Sequence, residues 1–310
     1  MRTPWITCTM LLLAAPLGAQ TRWPTVHRDA TLEAALHTLA AHVDGEVGIY
    51  VRQLGTGRGA MIRSDELFPT ASMIKVPILA TTFDRIEHGA LSFDSVLTWD
   101  DSLRYLGEDD LFDKLKSGAK VPLNQVTLMM ITTSDNAAAL WLQALVGGGA
   151  AVNQWLHANG FDSTRLNSRT PGRESNRAAY GWGQTSPREM AELVVRLRDG
   201  KAVSPAASAQ MYRHLTRIYW NGEALSAIPP WVQAASKQGA VDRSRSEVVL
   251  VNAPSGDYVF SVITRNQKDT TYARENQGYV LLREVSALLW KTFEPKHPWT
   301  PPTGSERFTP

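Results

Sequence analysis

The chain has 310 residues, 43% of them hydrophobic, and 32 basic residues against 30 acidic ones leave a formal net charge of +2. That length supports a full core in one large domain or two lobes, and the near balance of charge excludes the basic footprint of a nucleic-acid or polyanion binder. The single cysteine, Cys8, excludes a disulfide framework.

Met1-Arg2 followed by the apolar run from Met10 to Ala19 reads as a secretory signal cut after Ala19, which takes Cys8 with it. The run is too short for a membrane span and no later segment is long enough. The mature chain is therefore expected in a bacterial periplasm or the medium, without a membrane anchor and without thiol chemistry. Thr31 to Val43 has helical spacing of Ala, Leu and His. Glu46 to Leu54 alternates and meets the hairpin signal Gly55-Thr56-Gly57-Arg58-Gly59, which predicts a second strand ending near Arg63. Pro69 and Thr70 are start signals for a helix running to His88, where Gly89 closes it.

From Leu91 to Val121 the text is charged and loop-rich. Helices are predicted over Leu123 to Thr132, Ala137 to Leu145, Asn153 to Asn159 and Pro187 to Arg198, with a polar stretch from Arg165 to Gln184 before the last. Gly147-Gly148-Gly149 has no Lys-Ser/Thr after it and is not a phosphate loop. Val248 to Asn252 and Tyr258 to Thr264 read as strands around the turn Pro254-Ser255-Gly256-Asp257, and Asn276 to Trp290 as a last helix. No internal repeat is present. The order predicts an α/β (α+β) architecture, an antiparallel sheet flanked by the terminal helices with an inserted all-α lobe. Its expected divisions are a signal over 1–19, a catalytic domain over 20–294 and a flexible tail over 295–310. Within the domain, an α/β lobe takes 30–69 and 214–292 and a helical lobe takes 70–213.

Ser72 and Lys75 stand three residues apart, so on a helix they share a face and their side-chain tips can meet. A helix N-terminus at Ser72 favours developing negative charge, and a desolvated lysine can take a serine proton. The pair alone is weak, since Ser-x-x-Lys should arise roughly once by chance in a chain of this size. Ser134-Asp135-Asn136 after a helix is by itself more often a cap than a catalytic turn. Lys237-Gln238-Gly239 at the start of a strand, with Arg243 and Arg245 close behind, is by itself an edge charge.

Taken together and in this order, Ser72-Met73-Ile74-Lys75, Ser134-Asp135-Asn136 and Lys237-Gln238-Gly239 resemble the three-box pattern of penicillin-recognising serine enzymes, closest to class A β-lactamases. Thr164-Arg165-Leu166 is similar to the opening of that family's Ω-loop, and Thr185-Ser186-Pro187 with Met190-Ala191 to the helix after it. Trp231 also fits, and the resemblance extends from about Thr31 to Trp290. It implies that Ser72 attacks the lactam or peptide carbonyl, Lys75 takes the serine proton, and Ser134 passes a proton to the departing nitrogen. Lys237 then holds that hydroxyl and the substrate carboxylate, with Gln238 and Gly239 beside it. Asn136 bonds the acyl side-chain amide, the N–H groups of Ser72 and Ala240 form the oxyanion hole, and Arg243 or Arg245 clamps the carboxylate. No cofactor is implied. The seven histidines show no metal-binding spacing, so no metal is expected either.

The resemblance also has gaps. The family's Ω-loop glutamate aligns with Thr170, followed by Pro171, and the family's asparagine aligns with Glu174. Glu174 is thus the tentative deacylation base, one helical turn of about 5.4 Å along. The loop's customary Arg–Asp pin aligns with Ser168 and Gly183, and Gln238 replaces a hydroxyl residue in the third box. The expected function is a β-lactamase acting through an acyl-enzyme on a small molecule, a β-lactam or peptidoglycan-like peptide, as a monomer. The alternatives are a D-Ala-D-Ala peptidase or esterase, and a penicillin-binding or sensing protein that does not turn over.

Overall fold

A computed structural model describes residues 23–105 and 110–310; the expected signal and Cys8 lie outside them. The described chain begins with β1 (His27–Arg28) and α1 (Ala30–Ala40), followed by β2 (Glu46–Gln53), β3 (Arg58–Ile62) and β4 (Phe68–Pro69). A 3-10 turn over Ala71–Ile74 runs directly into α2 (Lys75–Glu87). The middle of the chain carries β5 (Val96–Thr98), β6 (Lys120–Pro122), α3 (Leu123–Thr132), α4 (Asn136–Leu145) and α5 (Gly148–Ala158). After β7 (Arg165–Leu166), α6 (Glu174–Tyr180) and β8 (Gly183–Thr185) come α7 (Pro187–Arg198) and α8 (Pro205–Leu215). The chain then returns through β9 (Ala234–Val241), β10 (Ser244–Val251) and β11 (Tyr258–Arg265) to α9 (Gln277–Phe293).

The main sheet has the order β1-β3-β2-β11-β10-β9. Its pairings are antiparallel except that of β1 with β3. Each central strand is buried on both faces, so side chains alternate between two cores. In β10, Val248 and Leu250 face the helices of the chain's middle, whereas Val249 and Val251 face the terminal helices α1 and α9. In β11, Val259 and Ile263 take the first side and Tyr258, Phe260 and Val262 the second. Each such fully buried side chain is worth about 1.5–3 kcal/mol over exposure. The sheet is therefore a partition between two hydrophobic cores.

Several boundaries differ from those expected. Lys237 lies in the middle of β9 rather than at its start, because the strand begins at Ala234. α5 begins at Gly148, inside the glycine run, with Gly147 at φ 105 turning the chain into it, a backbone conformation that favours glycine. α6 forms within the polar stretch from Arg165 to Gln184, and α8 forms behind a Ser204 cap and Pro205, in both cases where no helix was predicted.

α7 carries the helical layer onto the sheet. Ser186 caps it by accepting from Glu189 N, and Pro187 takes the first helical position. On its buried face Glu192 accepts from Arg52 Nε and Nη2, both at 2.8 Å, and from the Tyr50 hydroxyl at 2.7 Å. Such a buried pair fixes register more than it adds stability. Residues 295–310, expected to be a flexible tail, lie against the body. His297 O accepts from Trp290 Nε1 at 2.8 Å, and Trp299 meets Trp231 edge-on at 6.4 Å.

Candidate active site

The segment between β4 and α2 positions Ser72. Ala71 has a positive φ of 44, a conformation that costs a non-glycine residue about 1–3 kcal/mol unless its surroundings hold it. The tight turn that follows sets Ser72 one turn ahead of Lys75. The two side chains meet, with Lys75 Nζ 3.0 Å from Ser72 Oγ. Lys75 is fully buried and also donates to Ser134 O, to Ser134 Oγ at 3.0 Å and to Asn136 Oδ1 at 2.7 Å. Burial pushes its ammonium down to about 7, against the opposing pull of Asp110 and Asp135. At neutral pH a large fraction of Lys75 is the free amine, which can accept the serine proton.

Ser134 sits in the turn joining α3 to α4, with φ 63. Asp135 next to it is the cap of α4, accepting from Ala138 N at 2.7 Å, while its other oxygen accepts from Phe112 N at 3.1 Å. The cap and the Ser134 turn are thus the same residues, and capping chemistry holds Ser134 in place. Lys237 Nζ approaches the Ser134 hydroxyl from the sheet side at 3.0 Å and also donates to Gln238 Oε1 at 2.9 Å. Burial first, and the Lys75 charge second, drive Lys237 well below its ordinary range. Two lysines on one hydroxyl give Ser134 Oγ two donors, which leaves its own proton free to be given away.

β9 closes the other wall. A Cβ on Gly239 would stand 2.7 Å from Thr70 O and 2.9 Å from the Ala71 Cβ, so only glycine lets the strand approach the Ser72 turn this closely. The Gly239→Ala variant should therefore push β9 and Ala240 away from Ser72 and slow acylation by about a hundred-fold. Burst kinetics would measure this, and an unchanged burst would contradict the packing account. Ser72, Ser134, Asn136, Gln238, Gly239 and Ala240 border one cavity of about 510 Å³. Aromatic sides from Trp220, Tyr272 and Tyr279 and two carboxyls, Asp110 and Glu223, complete it. None of these last five was expected from the sequence.

Neither arginine lines this cavity, contrary to the expected carboxylate clamp. Arg243 is exposed and donates to Gln267 O at 2.8 Å. Arg245 is fully buried, gives its Nη atoms to the carbonyls of Val241, Ser244 and Thr271, and lies 4.4 Å from the ring centre of Tyr272 and 4.9 Å from that of Tyr279. It pins the β9–β10 turn and the 270–272 segment. The Arg245→Met variant should lower stability by about 2–4 kcal/mol, because buried carbonyls lose their donors. Thermal unfolding checks this; a large rise in KM with unchanged melting would instead favour the clamp.

Thr170 is buried, donates to Ser168 O at 3.0 Å, and faces α5 so closely that a Cβ on Gly149 would meet its Oγ1 at 1.7 Å. Glu174 is exposed, and its Oε1 turns back to accept from Gly172 N at 3.1 Å. Thr170 and Glu174 both lie outside the cavity lining. The loop is closed by neutral acceptors, in keeping with Ser168 and Gly183 at the positions of the family's ion pair. Arg173 donates to Asn167 Oδ1 at 2.9 and 3.0 Å and to Gln184 Oε1 at 2.8 Å.

The family model of the beta-lactamase enzyme family matches residues 31–293. A beta-lactamase of Rhodobacter capsulatus is 27% identical over 263 residues, which cover 81% of this chain and 86% of that relative. A mutant of PBP-A, solved as an acyl-enzyme complex with penicillin G, superposes with a TM-score of 0.78 at 25% identity, over 88% of this chain and 99% of that one. A beta-lactamase from Sphaerobacter thermophilus DSM 20745 has the same fold, with a TM-score of 0.77 at 22% identity over 87% of this chain and 100% of that one.

Proposed function

The chain belongs to the beta-lactamase enzyme family, and from that premise we propose that it hydrolyses β-lactam amides through an acyl-enzyme on Ser72. The observation that carries the proposal is the buried Lys75 amine, 3.0 Å from both Ser72 Oγ and Ser134 Oγ. Lys75 takes the Ser72 proton as Oγ bonds to the lactam carbon. The N–H groups of Ser72 and Ala240 stabilise the oxyanion. Collapse breaks the C–N bond, and the nitrogen takes the Ser134 proton, which Lys75 replaces across its 3.0 Å contact. Lys237 Nζ, 3.0 Å from Ser134 Oγ, is the hydrogen-bond donor left to the substrate carboxylate, a part the resemblance gave it together with one of the arginines. Water then releases the product.

The protein is proposed to act outside the cytoplasm, on the strength of the signal-like run from Met10 to Ala19. Among the described residues no helix is long and apolar enough to cross a membrane. A second proposal, acylation without rapid release as in a penicillin-binding protein or sensor, or release only of peptide or ester substrates, is favoured by one observation. Thr170 stands where a carboxylate is usual, and its hydroxyl is turned to Ser168 O. A chromogenic cephalosporin separates the two: sustained colour formation supports hydrolysis, and a stoichiometric burst supports the second proposal.

A further inference from the structure

Hydrolysis requires a group that takes a proton from water at the acyl carbon, and the family's position for it is Thr170. Asp110 offers such a group from a different part of the chain, the segment before the 3-10 turn at Phe112–Lys114. Its carboxyl is 2% exposed and borders the same cavity as Ser72, Ser134 and Asn136. One oxygen, Oδ1, accepts from Asn136 N at 2.6 Å, which anchors the carboxyl beside the second box. The other, Oδ2, is buried and has no hydrogen-bond partner among the described residues. A buried carboxylate oxygen left without a partner is costly unless something such as water comes to it. Glu223, the other carboxyl of the cavity, is tied to Arg283 Nη1 at 2.6 Å and lacks that freedom.

We propose that Asp110 is the general base of deacylation, a further catalytic residue that rests on the acyl-enzyme reading above. The Asp110 carboxylate takes one proton from a cavity water as the water oxygen bonds to the acyl carbon. Collapse of the tetrahedral intermediate breaks the bond from that carbon to Ser72 Oγ. The proton held on Asp110 passes to Lys75, which gives one of its own to the departing Oγ, so carboxylate, amine and hydroxyl are all restored. Burial, and then the Asp135 charge, raise the Asp110 carboxyl above the usual range, while the hydrogen bonds from Asn136 and the charge of Lys75 oppose them. Tyr105 is the other titrating group beside it. A raised carboxyl is a stronger base for water.

The test is the Asp110→Asn variant with penicillin G, followed by intact mass, melting temperature and release rate. The Asn side-chain oxygen can still accept from Asn136 N, so the fold and the acylation burst should be kept. The covalent adduct should accumulate and its release slow by about a hundred-fold or more, the scale of a lost general base. Wild-type release should fall as acidification protonates Asp110, with the variant showing no such dependence. Release at the wild-type rate in Asp110→Asn, or accumulation in Glu174→Gln instead, overturns the proposal. Loss of the burst itself in a folded variant would assign Asp110 to acylation and overturn it too. Should the variant not fold, a wild-type release rate flat between about pH 4 and pH 7 overturns it. A wild-type chain that forms no adduct at all would remove the acyl-enzyme reading, and this proposal with it.

Discussion

Replacing Ser72 with alanine is expected to abolish covalent labelling by penicillin and to lower turnover by a factor on the order of 10⁵ or more, the scale of removing a catalytic serine. The serine hydroxyl is one of four oxygens that Lys75 Nζ contacts, the others being the Ser134 carbonyl, the Ser134 hydroxyl and Asn136 Oδ1. Its loss leaves the lysine held and the buried turn packed. Melting should therefore move little, within about 1 kcal/mol of stability. Labelling without turnover loss, or an adduct that survives in Ser72→Ala, would place the nucleophile elsewhere.

Lys75→Met is expected to have the second largest effect. Methionine keeps the volume of the buried chain and removes the proton acceptor, which should slow acylation by about 10³–10⁴, within the range of a lost general base. The pH dependence gives an independent check. The Lys75 ammonium is lowered to about 7 by burial, and only the neutral amine can take the Ser72 proton. Wild-type acylation should therefore be weak below that pH, rise through it and level off above it. In Lys75→Met the rise should vanish. Stopped-flow bursts at several pH values measure both, and a wild-type profile that falls with rising pH would contradict the role.

The meeting of Ser72 and Lys75 was legible because it rests on a short spacing. Ser72 and Lys75 are one helical turn apart, and the structure brings their tips to 3.0 Å. The central strands were legible in part. The alternation of Val248 to Val251 between two cores reads as one continuous apolar run, but polar Ser244 and Ser246 hid the true start of β10. β9 was hidden further, since Ala234-Ala235-Ser236 has low strand propensity and acquires its form from pairing with β10. α5 was clipped because glycines penalise a helix, although Gly147 here supplies the turn into it.

The two arginines and Glu174 show the limit of position-matching. Arg245 is close to the third box in sequence, but its guanidinium is used up by carbonyls of its own turn and of the 270–272 segment. Glu174 aligns with the Ω-loop, but the turn it starts sends its carboxylate back to Gly172 N. Asp110 could not have been found this way. It follows Glu108 and Asp109 in a charged stretch that reads as solvated, yet Asp110 itself is buried, with its Oδ1 accepting from Asn136 N.

The acyl-enzyme on Ser72 is tested most directly by a time course of intact mass on the wild-type chain with penicillin G, with the modified peptide mapped by fragmentation. The account predicts one added penicillin per chain, located on Ser72, that forms early and then declines as hydrolysed penicillin accumulates. Hydrolysed penicillin with no adduct at any time, or an adduct on a residue other than Ser72, would contradict it.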